Sequence, residues 1–97
     1  MRDGPAAVYI MSNKTNRVLY TGVTSDLRTR VHEDRIMADR SAFTARYHVT
    51  KLVYFELTEN IAAAISREKQ IKGGNRAAKV ALIEKNNPRW CDLAEDW

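Results

Sequence analysis

Two tyrosines, an arginine and a glutamate stand at spacings that suit chemistry on a phosphodiester: Tyr9, Tyr20, Arg30 and Glu68. Ala7-Val8-Tyr9-Ile10-Met11 and Val18-Leu19-Tyr20-Thr21 are short β-type runs, and the turn formers Ser12 to Arg17 lie between them. A hairpin centred between Lys14 and Thr15 sets Tyr9 directly opposite Tyr20, on one face of the sheet. Such a pair either packs a core or holds two phenol hydroxyls side by side. Leu27, Arg30, Val31 and Asp34 share one helical stripe, which turns Arg30 inward. Ile61, Ala64, Ile65, Glu68 and Lys72 share another, with Glu68 near the middle of the face that packs on the sheet. A carboxylate there needs a cation such as Arg30, or a metal, because desolvating an unpaired charge is expensive. Two phenols, an inner guanidinium and an inner carboxylate suggest phosphodiester cleavage. One group helps deprotonate an attacking water, the arginine fork clamps the phosphate, and the acid holds a divalent ion.

Each group needs an element to hold it. Ser25-Asp26 reads as a helix start, and the helix runs from Asp26 to about Asp39. Gly22 gives the hairpin a tight exit. A short helix is possible around Phe43 to Tyr47. Lys51 to Leu57 is the most apolar strand and is expected to be central or best covered. Asn60 caps a helix over Ile61 to about Lys72, which Gly73-Gly74-Asn75 ends through a left-handed glycine. Another helix covers Arg76 to about Lys85 and stops before Asn87-Pro88, and the tail with Trp90 and Leu93 packs back. The order is β-β-α-(α)-β-α-α: an α/β (α+β) fold, one sheet of three strands flanked by helices.

The 97 residues are read as one domain, residues 1–97, without repeats or linkers. No run is long enough to span a bilayer, and the N-terminus lacks a signal-peptide core, so a cytoplasmic protein with no membrane partner is expected. The single cysteine, Cys91, excludes an internal disulfide and a cysteine-based zinc site, and it reads as a buried small hydrophobe. The net charge of +4 is compatible with an anionic partner such as nucleic acid, although it does not require one.

These residues and spacings resemble the GIY-YIG nuclease superfamily. Ala7-Val8-Tyr9 stands where GIY would, Tyr20-Thr21-Gly22 where YIG would, and ten residues separate the tyrosines as in the family. Arg30 follows Tyr20 by ten positions, and Glu68 in Arg67-Glu68-Lys69-Gln70-Ile71-Lys72-Gly73 matches the family's metal-binding glutamate. That run, with Phe43-Thr44-Ala45-Arg46-Tyr47 and Asn87-Pro88-Arg89-Trp90, is similar to the small single-domain bacterial branch, excision-repair-nuclease-like and uncharacterised. The resemblance implies a three-stranded antiparallel sheet and a metal-dependent endonuclease acting on DNA, in repair or recombination, with low sequence specificity. By that analogy Tyr9, Tyr20, Arg30 and Glu68 are catalytic. Glu68 places one Mg²⁺ or Mn²⁺ ion. Gly22, Arg28, Thr44, Arg46, Lys69, Lys72 and Asn87 are candidates for substrate contact.

The chain also departs from the family pattern. Asp34 stands where a histidine or tyrosine is usual, and Gly74 where the small-protein branch tends to have tryptophan. Asp34 makes a DNA-binding module with little or no cleavage the first alternative; a protein-interaction domain within a complex, with a protein partner, is the second. His32 points to another helix face, and His48 reads as a turn residue.

Overall fold

The computed structural model describes residues 5–35 and 47–97, for Asp34 and Arg35 without their side chains. The possible short helix near Phe43, the end of the first helix beyond Arg35, and the candidates Thr44 and Arg46 lie outside the described residues.

Seven successive buried residues, Ala6–Ser12, form β1. A strand covered on both faces belongs in the middle of a sheet, and the order is β2-β1-β3, with β2 at Leu19–Thr24 and β3 at Lys51–Thr58, both antiparallel to β1. The expectation that Lys51 to Leu57 is the central or best-covered strand is thereby corrected: β3 is an edge strand, and β1 is both central and the more fully buried. Residues Leu52 to Tyr54 of β3 are buried beneath the helices and the tail, which closes over the strand where Leu93 N donates to Leu52 O at 2.8 Å and Leu52 N donates to Asp92 Oδ1 at 3.2 Å, whereas Leu57 is left 69% exposed.

α1 spans Leu27–Arg35, α2 Ile61–Gly73 and α3 Arg76–Asn86. Their starts are set by side-chain caps. Asp26 Oδ1 accepts from Thr29 N at 3.3 Å, Asn60 Oδ1 from Ala63 N at 2.9 Å, and Asn75 Oδ1 from Ala78 N at 2.8 Å. The turn between α2 and α3 has no left-handed glycine, contrary to the sequence expectation. Gly74 sits at φ −82° and ψ 164°, extended, and leads directly into the Asn75 cap. No described helix is long and apolar enough to cross a membrane.

The alternation of β1 divides the core in two. Val8 and Ile10 face α2 and α3 and pack with Ile71 and Ile83, whereas Tyr9 and Met11 face the other way and pack with Val31 of α1, Val49, Leu52 and Ala94. The aromatic residue of the central strand thus lies on the α1 side.

Candidate active site

The hairpin register differs from the expected one by two residues. Tyr9 lies opposite Gly22, and Tyr20 lies opposite Met11. The cause is in the turn: Asn13 Oδ1 accepts from Arg17 N at 2.9 Å and Val18 N at 3.0 Å, and Asn16 takes a left-handed φ of 61°. A four-residue loop, Lys14 to Arg17, is closed by the Asn13–Val18 backbone bond of 3.2 Å. A shift of two preserves the faces, so the tyrosines remain on one side as diagonal neighbours. Their ring centroids are 6.4 Å apart with the planes inclined at 49°.

Gly22 is no exit turn; it lies inside β2, and its missing side chain is what seats the pair. A Cβ at Gly22 would lie 2.6 Å from both Cζ and Oη of Tyr9 and 3.0 Å from Cε2 of Tyr20. The Tyr9 ring therefore crosses β2 over the bare glycine backbone, with its hydroxyl end against that strand. Tyr9 is 1% exposed, and Tyr20 is half-buried, so Tyr20 is the phenol more open to solvent.

Leu27 and Val31 dock α1 on the tyrosine face, in the same apolar cluster as Tyr9 and Tyr20. Half-buried Arg30 precedes Val31 on this helix and is not without an interaction partner. Asp34 lies one turn further along α1. Arg28 is exposed; its guanidinium carbon stands 4.8 Å from the centre of the Trp97 ring, which meets Phe55 edge-on at 6.0 Å.

Glu68 is on α2, which packs chiefly across β1 and β2 on the opposite face from the tyrosines. Of its expected stripe Ala64 is buried, while Ile61 and Ile65 are 44% and 39% exposed. The Glu68 side chain is 15% exposed, and its partner is Lys72, whose Nζ stands 3.0 Å from Oε2, rather than Arg30. Lys69 is exposed. Arg76 and Lys79, at the same end of the molecule, are occupied by backbone carbonyls: Arg76 reaches Asn16 O and Arg17 O, and Lys79 reaches Gly74 O.

Asn87 is buried and committed to the backbone. Its Nδ2 donates to Val53 O at 3.0 Å and Cys91 O at 2.9 Å, and its Oδ1 accepts from Cys91 N at 2.9 Å. Both amide hydrogens are in use, so Asn87 fastens the tail and has no donor left for a phosphate. Cys91 itself is exposed, correcting the expectation of burial, because Asn87 holds only its backbone. His48 sits at φ 55°, the turn position expected of it.

One constellation escaped the sequence reading. Glu56 of β3 receives Nε of Arg67 at 3.1 Å on both oxygens and Nη2 at 2.9 Å, and the Tyr54 hydroxyl donates to the same carboxylate. Burial alone would raise the Glu56 carboxyl, but the bonds from Arg67 and Tyr54 outweigh it and hold the group below its ordinary value. Burial, then the Glu56 bond, pushes the Tyr54 hydroxyl up to about 12. The signal was available: Tyr54 and Glu56 are two apart on a strand and must share a face.

A divalent ion has one candidate ligand here. Glu68 is ion-paired with Lys72, and among the described residues no three His, Cys, Asp or Glu side chains converge on a common ion. One carboxylate does not make an all-protein cage. It does fit a hard ion of the Mg²⁺ or Mn²⁺ kind, which keeps most of its waters and takes other ligands from a substrate phosphate.

The GIY-YIG catalytic domain family matches residues 5–81. The chain is 33% identical over 82 residues to a UPF0213 protein of Syntrophus aciditrophicus, covering 84% of this chain and 93% of the relative. It is 36% identical over 78 residues to one from Haloquadratum walsbyi, covering 80% and 85%. It is 40% identical over 84 residues to one from Clostridium perfringens, covering 82% and 84%. No solved structure matches the chain.

Proposed function

From the premise that the chain belongs to the GIY-YIG catalytic domain family, a nuclease family, we propose that it is a divalent-metal-dependent DNA endonuclease. The observation that carries this reading is the bare backbone at Gly22, which lets a buried and a half-exposed phenol lie together on the face where α1 brings Arg30. A pair serving only the core would have no need of a glycine inside a strand, where it weakens the strand.

The division of labour follows from exposure. Tyr20, the more solvent-open of the two, orients the attacking water by accepting its hydrogen bond on the phenol oxygen, and the water's proton leaves to solvent; Tyr9, sealed beneath, fixes the ring and hydroxyl positions of the pair. Arg30 offers two parallel N–H groups to the scissile phosphate and offsets the charge that builds there. Glu68, carried by α2 on the other face of the sheet, is the residue that would hold the divalent ion by the family correspondence, and that ion would supply charge neutralisation at the phosphate and leaving oxygen. Lys69 and Lys72 are contacts for the sugar–phosphate backbone, which carries little sequence information. Repair or recombination is the setting such an activity fits.

The test is nicking of supercoiled plasmid with Mg²⁺ or Mn²⁺ against EDTA, for wild type, Tyr20→Phe, Arg30→Ala and Glu68→Ala. Metal-dependent nicking that all three substitutions abolish is the expected result; nicking indifferent to Glu68→Ala would refute the assignment. Asp34, one turn past Arg30, favours a second reading as a DNA-binding module with little cleavage. Binding without nicking, with activity appearing in Asp34→His, would establish it.

A further inference from the structure

The two ion pairs of α2 differ in kind although their residues are adjacent. Arg67 is locked: its planar fork meets Glu56 through three N–H contacts, Nη1 adds Gln70 Oε1 at 3.0 Å, and the Tyr54 hydroxyl closes the carboxylate from the sheet. Glu68 is held by a single ammonium on one oxygen. The carboxylate is 15% exposed and Lys72 is 53% exposed, so the acid is fixed and the cation lies on its solvent side with a flexible stem. An i, i+4 pair whose cation is half in solvent is weak and easily parted.

We propose that Lys72 is a displaceable counter-ion: it occupies Glu68 in the free protein and passes to a substrate phosphate when a divalent ion takes the carboxylate. This rests on Glu68 being the metal ligand. The ammonium and the divalent ion compete for the same oxygens and repel each other, so Lys72 weakens metal binding in the absence of substrate. Once released, it is a free cation beside a newly metal-loaded site, and a phosphate is its natural partner. Metal and substrate thereby favour each other's binding through one side chain, and the linkage is reciprocal. The free protein keeps its half-buried carboxylate neutralised and draws in metal best when DNA is present.

The experiment measures Mn²⁺ binding to the full chain by electron paramagnetic resonance without DNA, for wild type, Lys72→Met, Lys72→Arg and Glu68→Gln. Lys72→Met should bind Mn²⁺ roughly three- to tenfold more tightly, from loss of the competing pair and of like-charge repulsion. Lys72→Arg, with a fork that grips the carboxylate harder, should bind it more weakly than wild type. DNA binding is then read as a function of salt, with Ca²⁺ and with EDTA. Lys72→Met should lower the salt slope by about one in Ca²⁺ and leave it unchanged in EDTA. Unchanged or weaker Mn²⁺ affinity in Lys72→Met overturns the inference, as does an equal loss of slope in both conditions. If Glu68→Gln retains wild-type Mn²⁺ affinity, the metal assignment underneath has failed; if it abolishes binding while Lys72→Met changes nothing, only the role of Lys72 has.

Discussion

Gly22→Ala separates a glycine needed for side-chain space from one needed for backbone freedom. Gly22 has no positive φ, so alanine fits its backbone, and the shorter list of unfolded conformations should stabilise the protein by about 0.4–1 kcal/mol. Against that stands the Cβ, 2.6 Å from Cζ and Oη of Tyr9. The ring must retreat by roughly 1 Å to reach ordinary contact. Tyr9 is 1% exposed and hemmed in by Met11, Val31, Val49 and Leu52, so the shift falls on packed neighbours and costs about 1–3 kcal/mol. The difference of these terms spans about 0–2.6 kcal/mol, and its midpoint is a net loss of about 1.3 kcal/mol. Chemical denaturation should show it, together with a fall in Tm of roughly 5–10 °C. A double-mutant cycle with Tyr9→Leu identifies the cause: without the ring, Gly22→Ala should be neutral or stabilising. An equal penalty with and without the Tyr9 ring would refute the steric argument, and an unperturbed single mutant would refute the seating itself. Nicking by Gly22→Ala should fall more than stability does, because the hydroxyls no longer lie where they were.

Arg67→Ala should destabilise the protein by about 1 kcal/mol at neutral pH, a modest figure because both partners are about a third exposed. Since Glu56 has a lowered pKa, its contribution is present above the ordinary carboxylate pKa and is lost as pH falls through the folded value; wild type and variant should converge in acid, as denaturation at several pH values will show. Tyr54 is raised to about 12, so its contribution is intact below its ordinary pKa of 10.0 and is lost as pH rises toward 12. Tyr54→Phe should flatten that alkaline fall in stability. Asn87→Ala strands Val53 O and both Cys91 backbone groups, and it should cost about 2–4 kcal/mol in denaturant unfolding while leaving DNA affinity of the folded fraction unchanged.

Local chemistry made the elements legible. The Asn60 cap, the apolar stretch at Lys51 to Leu57 and the inward stripe at Val31 were all readable because their causes lie within a few residues. Register was not, since it depends on whether the Asn13 side chain folds over the loop, and that moved Tyr9 from Tyr20 to Gly22 while parity kept both phenols on one face. The partner of Glu68 was misread for another reason: a stripe shows that a residue points toward the sheet, not which face of the sheet its helix covers, and α1 with Arg30 lies on the face opposite α2, whereas Lys72 is one turn along the same helix. The exposure of Cys91 depends on how Asn87 pins the tail, a contact with no periodic trace in the sequence.

The central place of β1 has a consequence for the order in which the protein folds. Its pairing with β2 closes only the four-residue loop Lys14 to Arg17, whereas its pairing with β3 joins Met11 to Leu52, 41 positions away. Short loops close early and hairpins form within about 1–10 μs, while distant strands must first overcome the entropy of a long closure. Tyr9, Gly22 and Tyr20 are all on the hairpin, so the reactive pair is assembled by its own local kinetics. Arg30 follows on the helix directly after the hairpin, while Glu68 belongs to a segment beyond β3, so the carboxylate is the distant member of the set in sequence.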